Sequence, residues 1–299
     1  MYHFSFVILH YMSLQDTIEC VRSIQNNISY SNYSIIVVDN KSPNDSGILL
    51  KKRYANNRAI HFISSDRNLG FAKGNNLGFQ YAKYELKSNF IALINNDTYI
   101  EQKDFIQRII RRWEFSKFHI LGPDIINPAE HKHQNPQPAY LTSKKDLRKT
   151  IALNSFFMVL NCLGIEPIWA RLTNWKKHIF SHPVLSVMGP REIIDNKVEK
   201  KDVKLHGACL VFSPDYIEKY NGLYPETFLY MEEDILFYFA QNNGLITLYF
   251  PEVVIFHKDD RSLNMVYKKN RQRRKFYYLN HIKSAYIFLH LMNTKDVRI

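Results

Sequence analysis

Six side chains at four places carry most of the chemical potential of this 299-residue chain: Asp39, Asp97, the run Glu232-Glu233-Asp234, and His257. Asp97 follows Ile91-Ala-Leu-Ile-Asn-Asn, so four apolar residues run straight into three polar ones. A run apolar on both faces suits a strand covered by helices on each side. In open α/β sheets, ligands sit just beyond the carboxyl ends of such strands. Asp97 is then an acid placed where a divalent cation or a ribose could sit; the competing reading is an Asx turn that only ends the strand. Asp39 closes a second apolar run in the same way. Three consecutive acids repel one another, and a helix N-terminus, whose dipole favours anions, is where they are tolerated. Glu232-Glu233-Asp234 therefore reads either as a well-capped helix start or as a carboxylate tuned to act as general base. The flanking Tyr224-Pro-Glu-Thr-Phe-Leu-Tyr230 is too aromatic for an ordinary solvated cap. His257 ends an apolar run, and an acid such as Asp97 with a neutral imidazole suits Mn²⁺ or Mg²⁺ holding a diphosphate.

These groups need a scaffold that brings strand ends together. Phe4–His10 reads as a first strand. Ser13-Leu-Gln-Asp16 offers an N-cap with an acid three residues later, and Ile18, Val21 and Ile24 give the helix to about residue 25 an apolar face. Strands are expected at 34–38 and 59–63. The Gly/Asn-rich stretch 68–78 enters a helix to about Tyr84, and a further helix covers 102–115. Alternation of strand and helix favours an α/β architecture, a mostly parallel sheet with helices on both faces. Residues 127–138, rich in Pro, Asn and His, read as a loop. Beyond them, 205–212 resumes a strand. Ser213-Pro214 starts a short helix, and the helix from the acidic run closes at Gly244. Residues 246–250 and 253–256 are two more strands.

The formal net charge is +12, from 40 Lys and Arg against 28 Asp and Glu, which points to nucleic acid, an anionic membrane surface or anionic substrates. Much of the excess lies outside the alternating part. Residues 143–201 mix cations with Phe156, Phe157, Trp169, Trp175 and Phe180 as a partly helical insert. Residues 268–275 hold six cations in eight positions, followed by an aromatic helical stretch at 277–291. Such segments fit attachment to an anionic lipid surface; the competing and favoured reading of 143–201 is a helical subdomain packed on its own domain, and that of 268–275 is a solvated face. Three widely spaced cysteines, Cys20, Cys162 and Cys209, fit a reducing compartment with no disulfide framework. The N-terminus lacks the cations of a signal peptide, and the charge-free stretch 151–165 is too short and polar to span a bilayer. Gly70, Gly74 and Gly78 match neither the P-loop nor the dinucleotide fingerprint, which excludes a P-loop kinase and a dehydrogenase. No zinc, RNP, KH or helix-turn-helix pattern is present, and no nucleic-acid partner is expected.

The order of motifs resembles the inverting family-2 nucleotide-sugar glycosyltransferases of the GT-A fold, with a Rossmann-like central sheet. The nearest branch is the rhamnosyl- and galactosyl-type enzymes of bacterial polysaccharide assembly, such as capsule or O-antigen. Phe6-Val-Ile-Leu-His-Tyr11 looks like the family's first strand and Ile36-Val-Val-Asp-Asn40 like its second. Arg67-Asn-Leu-Gly-Phe-Ala-Lys-Gly-Asn-Asn76 resembles the loop bordering the nucleotide, and Leu93-Ile-Asn-Asn-Asp97 the Asp-x-Asp element. His206-Gly-Ala208 and Phe228-Leu-Tyr-Met-Glu-Glu-Asp234 resemble the acceptor-side segments, and Phe256-His257 the late metal-side histidine. The resemblance covers about residues 4–122 and 203–262. The first Asp of Asp-x-Asp is Asn95 here, so Asp97 must carry the metal contact.

The resemblance implies transfer of a sugar from a UDP- or dTDP-linked donor to a glycan or lipid-linked glycan, by one displacement with inversion. Mn²⁺ or Mg²⁺ would sit on Asp97 and His257. The nucleotide side would comprise His10, Asp39, Asn68, Lys73 and Asn96, with Arg67 a further candidate. The acceptor and sugar side would comprise His206, Gly207 and Glu232. An ungapped match puts Glu233 at the base position; the literal Glu-Asp pair puts it at Asp234. The implied layout is a glycosyltransferase domain over 1–262, with a nucleotide half at 1–122, the insert at 143–201 and an acceptor half at 203–262. A helical tail follows at 263–299. The expected location is the cytoplasm, on the inner face of the plasma membrane. Two rivals are a sugar nucleotidyltransferase, which lacks its phosphate loop at residues 9–16, and a non-catalytic basic membrane- or nucleic-acid-binding protein, which leaves the acidic turns unexplained.

Overall fold

The computed structural model describes residues 1–138, 141, 143–166, 195–258 and 270–294. Strands β1 (Phe4–His10), β2 (Tyr33–Asp39), β3 (Ile60–Ser64) and β4 (Phe90–Asn95) alternate with helices α1 (Leu14–Asn27), α2 (Ser46–Tyr54) and α3 (Gly70–Tyr84). After β4 come the two-residue β5 (Thr98–Tyr99), α4 (Phe105–Ser116), β6 (Ile120–Asn127), the short β7 (Lys132–His133) and α5 (Lys144–Leu163). The remainder comprises β8 (Lys200–Lys201), β9 (Cys209–Phe212), α6 (Pro214–Lys219), α7 (Glu232–Asn242), β10 (Thr247–His257) and α8 (Asn270–Thr294).

The strands form one sheet in the order β3-β2-β1-β4-β9-β6-β10-β5. The first four are mutually parallel, β9 runs antiparallel between β4 and β6, and β6 pairs parallel with β10. Side chains alternate across each strand, and both faces are apolar. Phe4, Phe6, Ile8, Ile35 and Val37 join Ile18, Val21 and Ile24 of α1 and Ile109 and Trp113 of α4. Val7, Ile36, Val38 and Leu93 join Phe79 of α3, Tyr216 of α6 and Phe239 of α7. This is the expected α/β layering, and both buried faces explain why these strands read as continuous apolar runs.

Four expectations are corrected. Strand β6 falls in a stretch with no strand assigned to it, because Gly122-Pro123-Asp124 interrupts the β-branched pattern. The strand expected at 205–212 is only β9, which leaves His206, Gly207 and Ala208 as a turn. The two strands expected at 246–256 are a single β10, whose register against β6 shifts between Phe250 and Val254, around Pro251. Ser13 precedes α1 as expected, yet its hydroxyl donates to the buried Asp16 carboxylate rather than capping a helix N–H.

Helices α5 and α8 pack on each other. Ser143 caps α5 by accepting from Asp146 N at 3.2 Å. At the other end, Arg271 donates to the carbonyls of Asn161 and Cys162, satisfying groups that a helix C-terminus leaves unpaired. Glu166 accepts from Arg274, Tyr278 and Asn161. Part of the basic cluster is thus tied to α5. Lys268 and Lys269, with Trp169, Trp175 and Phe180 of the insert, lie outside the described residues.

Helix α3 lies close on the sheet because it carries no side chain where it crosses. A Cβ at Gly78 would stand 2.3 Å from Val7 Cγ1 and 2.9 Å from Val38 Cγ2. Gly78→Val is therefore expected to destabilise the fold by about 1–3 kcal/mol through overpacking, read as a lower midpoint in urea unfolding.

Candidate active site

The polar turn after β4 is closed on itself and fastened on both sides. Thr98 Oγ1 donates to Asn95 O at 2.7 Å, and Asn95 N donates to Ala208 O at 3.0 Å. Asn96 Nδ2 donates to Thr17 Oγ1 of α1 at 3.0 Å. The chain then leaves as β5, which pairs antiparallel with the end of β10 so that Thr98 lies opposite His257. Lys258 N donates to Asp97 O at 3.0 Å. This register brings His257 Nε2 to 3.3 Å from Asp97 Oδ1, although 160 residues separate them in the chain. Both side chains are buried.

His257 Nδ1 meets Gln134 Oε1 at 2.8 Å. An amide oxygen only accepts, so Nδ1 carries a proton. In a neutral ring Nε2 is then a lone pair, aimed at a carboxylate oxygen. Two acceptors at 3.3 Å need a proton or a cation between them. That spacing is close to the roughly 3 Å between adjacent ligands of an octahedral ion bound at about 2.1 Å. Burial alone would raise the Asp97 pKa, but the hydrogen bond and charge of a protonated His257, with Lys258, hold it below the ordinary carboxylate value, so that proton occupies the place a cation would take. The pair thus fits a divalent metal, with Gln134 orienting the imidazole as the partner of a ligating histidine does. Among the described residues no group of three His, Cys, Asp or Glu could hold a metal. The donor set therefore suits an ion that keeps waters and takes further oxygens from a diphosphate.

The segments expected on the acceptor side border this pair. Asn135 Oδ1 accepts from His206 N at 3.1 Å, and the His206 ring lies 5.6 Å from that of His257. Burial and the positive neighbours His257 and Lys204 push the His206 pKa down to about 3, so the ring is neutral. Gly207 N donates to Glu233 Oε1 at 3.1 Å, and a Cβ at 207 would stand 2.6 Å from that oxygen. The glycine leaves room for the carboxylate. Asp234 turns away to a largely enclosed ion pair, accepting from Lys204 Nζ at 2.7 Å. Burial pushes its pKa up, against the pull of Lys204. Glu232 is buried, its Oε1 has no hydrogen-bond partner, and burial with the neighbouring Glu233 pushes its pKa up to about 8.

Tyr230 and Met231, which precede this run, both have left-handed backbones, with φ 73° and 69°. Each such residue costs on the order of 1–3 kcal/mol and persists only where the surroundings impose it. Here α8 imposes it. Leu229 O accepts from Ser284 Oγ at 2.9 Å, and the Tyr230 ring stacks on His281 at 4.0 Å. Met231 packs with Leu147, Ile151, Ile235 and Phe288.

On the side expected to face a nucleotide, Asp39 Oδ1 accepts from Ser42 N at 3.1 Å at the carboxyl end of β2. The neighbouring Asn40 donates to Asn68 Oδ1 and Gly70 O, both at 3.0 Å, and accepts from Leu69 N at 2.8 Å, so it holds the Gly/Asn loop. Gly70, at φ 79°, lets Phe71 N donate to Phe228 O at 2.8 Å. Asn76 exchanges two 2.7 Å hydrogen bonds with the backbone of Leu223. Loop and α3 thus clamp the segment leading to the acids.

Several expected nucleotide contacts are redrawn. Both His10 ring nitrogens are engaged, by Thr17 at 2.7 Å and Ser46 at 2.8 Å, and burial pushes its pKa down to about 4. His10 and Asn96 meet on Thr17, inside the scaffold rather than at an open surface. Asn68 shapes the loop, and Lys73 points to Glu226 at 3.8 Å. The expectations had no place for Gln134, Lys204 or Ser284, which only long-range packing brings to the site; Asn40 was visible beside Asp39.

Glu232 is bound in its protonated form by the fold, with a pKa raised from 4.5 to about 8. The native chain then holds a proton that the unfolded chain releases, so stability is fully present below pH 4.5 and is lost as pH rises toward about 8. Glu232→Gln is expected to stabilise the protein at pH 8 by on the order of 1–3 kcal/mol more than at pH 4, measured by urea unfolding at both pH values. Ser284→Ala frees the Leu229 carbonyl, and is expected to cost about 1 kcal/mol, read in the same way.

The model of the family described as Glycosyl transferase family 2 matches residues 5–165. The low-salt glycan biosynthesis hexosyltransferase Agl10 of Haloferax volcanii is 28% identical over 123 residues, which are 41% of this chain and 36% of that protein. The match therefore spans about a third of the length of that relative. Among solved structures, the mannosyltransferase PcManGT of Pyrobaculum calidifontis, in complex with GDP-Man and Mn²⁺, aligns with TM-score 0.53 at 12% identity. It covers 98% of this chain and 71% of that one. GalNAc-T7 with UDP, GalNAc and Mn²⁺ aligns with TM-score 0.55 at 10% identity, covering 86% of this chain and 44% of that one. Both likenesses are of fold, and they match the GT-A arrangement of sheet and flanking helices. With the family model covering more than half of its residues, the chain belongs to glycosyl transferase family 2.

Proposed function

We propose that the protein transfers a sugar from a nucleoside diphosphate sugar to a hydroxyl of a glycan or lipid-linked glycan, with inversion at the anomeric carbon. The observation that carries this reading is the meeting at one sheet edge of the Asp97–His257 pair and Glu233, through His206-Gly207. A curated relative named as a hexosyltransferase supports the class of reaction. Solved structures of like fold hold GDP-Man or UDP with Mn²⁺ and support the class of donor and Mn²⁺ or Mg²⁺ as the cofactor.

In this reading Asp97 and His257 would hold the divalent ion, which would offset the negative charge developing on the leaving diphosphate. Glu233 takes the proton of the acceptor hydroxyl. Two features favour it over Asp234: it lies against Gly207 beside the metal pair, while Asp234 is engaged by Lys204. Asp39 hydrogen-bonds the nucleotide base, and Arg67, with Lys73 released from its exposed 3.8 Å contact to Glu226, would lie beside the diphosphate. His206 and Glu232 shape the sugar and acceptor side. We further assign the protein to the rhamnosyl- and galactosyl-type branch, with a UDP- or dTDP-linked donor, acting in the cytoplasm; no described helix is long and apolar enough to cross a membrane.

A panel of nucleotide sugars, each with and without Mn²⁺, tests the reading by thermal shift. One donor is expected to raise the melting temperature only with the metal, by the linkage that any native-state ligand produces. No shift from any donor with Mn²⁺ contradicts it. With that donor, Glu233→Gln is expected to lower kcat by at least about 10²-fold. Asp234→Asn is expected to cost mainly stability, since it leaves Lys204 without its buried partner. The reverse pattern makes Asp234 the base.

A further inference from the structure

Helix α5 carries apolar residues on both faces. Its inner face buries Leu147, Ile151, Phe157 and Leu160 with Thr150, Asn154 and Asn161, while Phe156, Val159 and Leu163 stand 44%, 53% and 66% exposed. At 3.6 residues per turn those three fall on one stripe with Ala152. The stripe continues toward the N-terminus as the exposed Lys145, Arg148 and Lys149. Its cationic half and apolar half therefore share one face. The partner helix α8 adds charge. Together α5 and α8 carry +8 of the chain's +12: four Lys and Arg against one Asp in α5, and five against no acid in α8.

We propose that the outer stripe of α5 is a docking surface for an anionic lipid bilayer. This rests on the reading above, because it names the surface on which a lipid-linked acceptor would be met. A bilayer complements both halves of the stripe at once. Anionic headgroups meet Lys145, Arg148 and Lys149, and the boundary with the acyl chains takes Phe156, Val159 and Leu163. A second copy of the chain would oppose like charges across the contact. A nucleic-acid backbone would leave the apolar half without a partner. The site lies one helix away. The other faces of α5 and α8 hold Met231 and the Leu229 carbonyl, at the start of the acidic run. Docking through α5 would thus hold the acceptor side at a fixed distance from the bilayer.

The test is flotation of the full chain with phosphatidylcholine vesicles, with and without phosphatidylglycerol. Binding is expected only to the phosphatidylglycerol vesicles, and to fall as salt is raised. The triple variant Lys145→Glu, Arg148→Glu, Lys149→Glu is expected to bind at least about 100-fold more weakly, at roughly fivefold per cation lost. Val159→Ser with Leu163→Ser is expected to weaken binding at unchanged salt dependence. Unchanged melting temperatures would show that both variants fold. Equal flotation of wild type and variants, or equal binding to neutral vesicles, overturns the proposal. So does concentration-dependent self-association, or oligonucleotide binding, that the same variants abolish. Metal-dependent stabilisation by nucleotide sugar, measured on the same samples, separates the outcomes. A chain that fails to float but is stabilised loses only the docking surface, and one that floats without stabilisation loses only the transferase reading.

Discussion

His257 Nε2 and a carboxylate oxygen of Asp97 lie 3.3 Å apart, and much of the surrounding structure holds them so. With Nδ1 donating to Gln134, the gap is filled either by a proton on Nε2 or by a cation that takes its place. β5 contributes only two residues, but its pairing with β10 sets their register. Gln134 fixes the imidazole from behind, and Asn95, Asn96 and Thr98 tie the turn to β9, to α1 and to itself. Burial strengthens the attraction of the pair for a cation, because water screens it less.

The second constraint is that two distant parts of the chain must close on one another. The Gly/Asn loop and α3 reach the segment before the acids through hydrogen bonds to its main chain: Phe71 N to Phe228, and the Asn76 side-chain amide to Leu223. These are hydrogen bonds of fixed direction, not sliding apolar contacts, and they set where the acids begin. Helix α8 approaches the same segment from the other side. It holds two residues in left-handed conformations that the local sequence would not choose. Glu233 reaches Gly207 only because α7 starts where these contacts place it.

How much of this is visible in the chain depends on the range of the interaction. Strands β1 to β4 and helix α3 are legible because burial on both faces, or on one helical face, imprints a local period. Asp97, Asp39 and His257 are legible because polar residues that end apolar runs mark strand ends. Strand β6 is not, since its Gly122-Pro123-Asp124 sequence looks like a turn and only its two neighbours make it a strand. Gln134 looks like any loop residue until β10 places His257 beside it. The choice between Glu233 and Asp234 could not be read from the motif. The proposed choice rests on Lys204, 30 residues away, and on the missing side chain of Gly207. The basic residues near 271 suggested a surface patch, whereas Arg271 and Arg274 bind the end of α5.

The most direct test of the central claim is electron paramagnetic resonance of Mn²⁺ titrated into the protein, with and without a nucleoside diphosphate. The free-ion signal is expected to fall when protein and nucleotide are present together. The loss should be abolished by Asp97→Ala and strongly reduced by His257→Ala. Undiminished binding of Mn²⁺ by both variants would show that the pair does not hold the metal, and would contradict the account at its base.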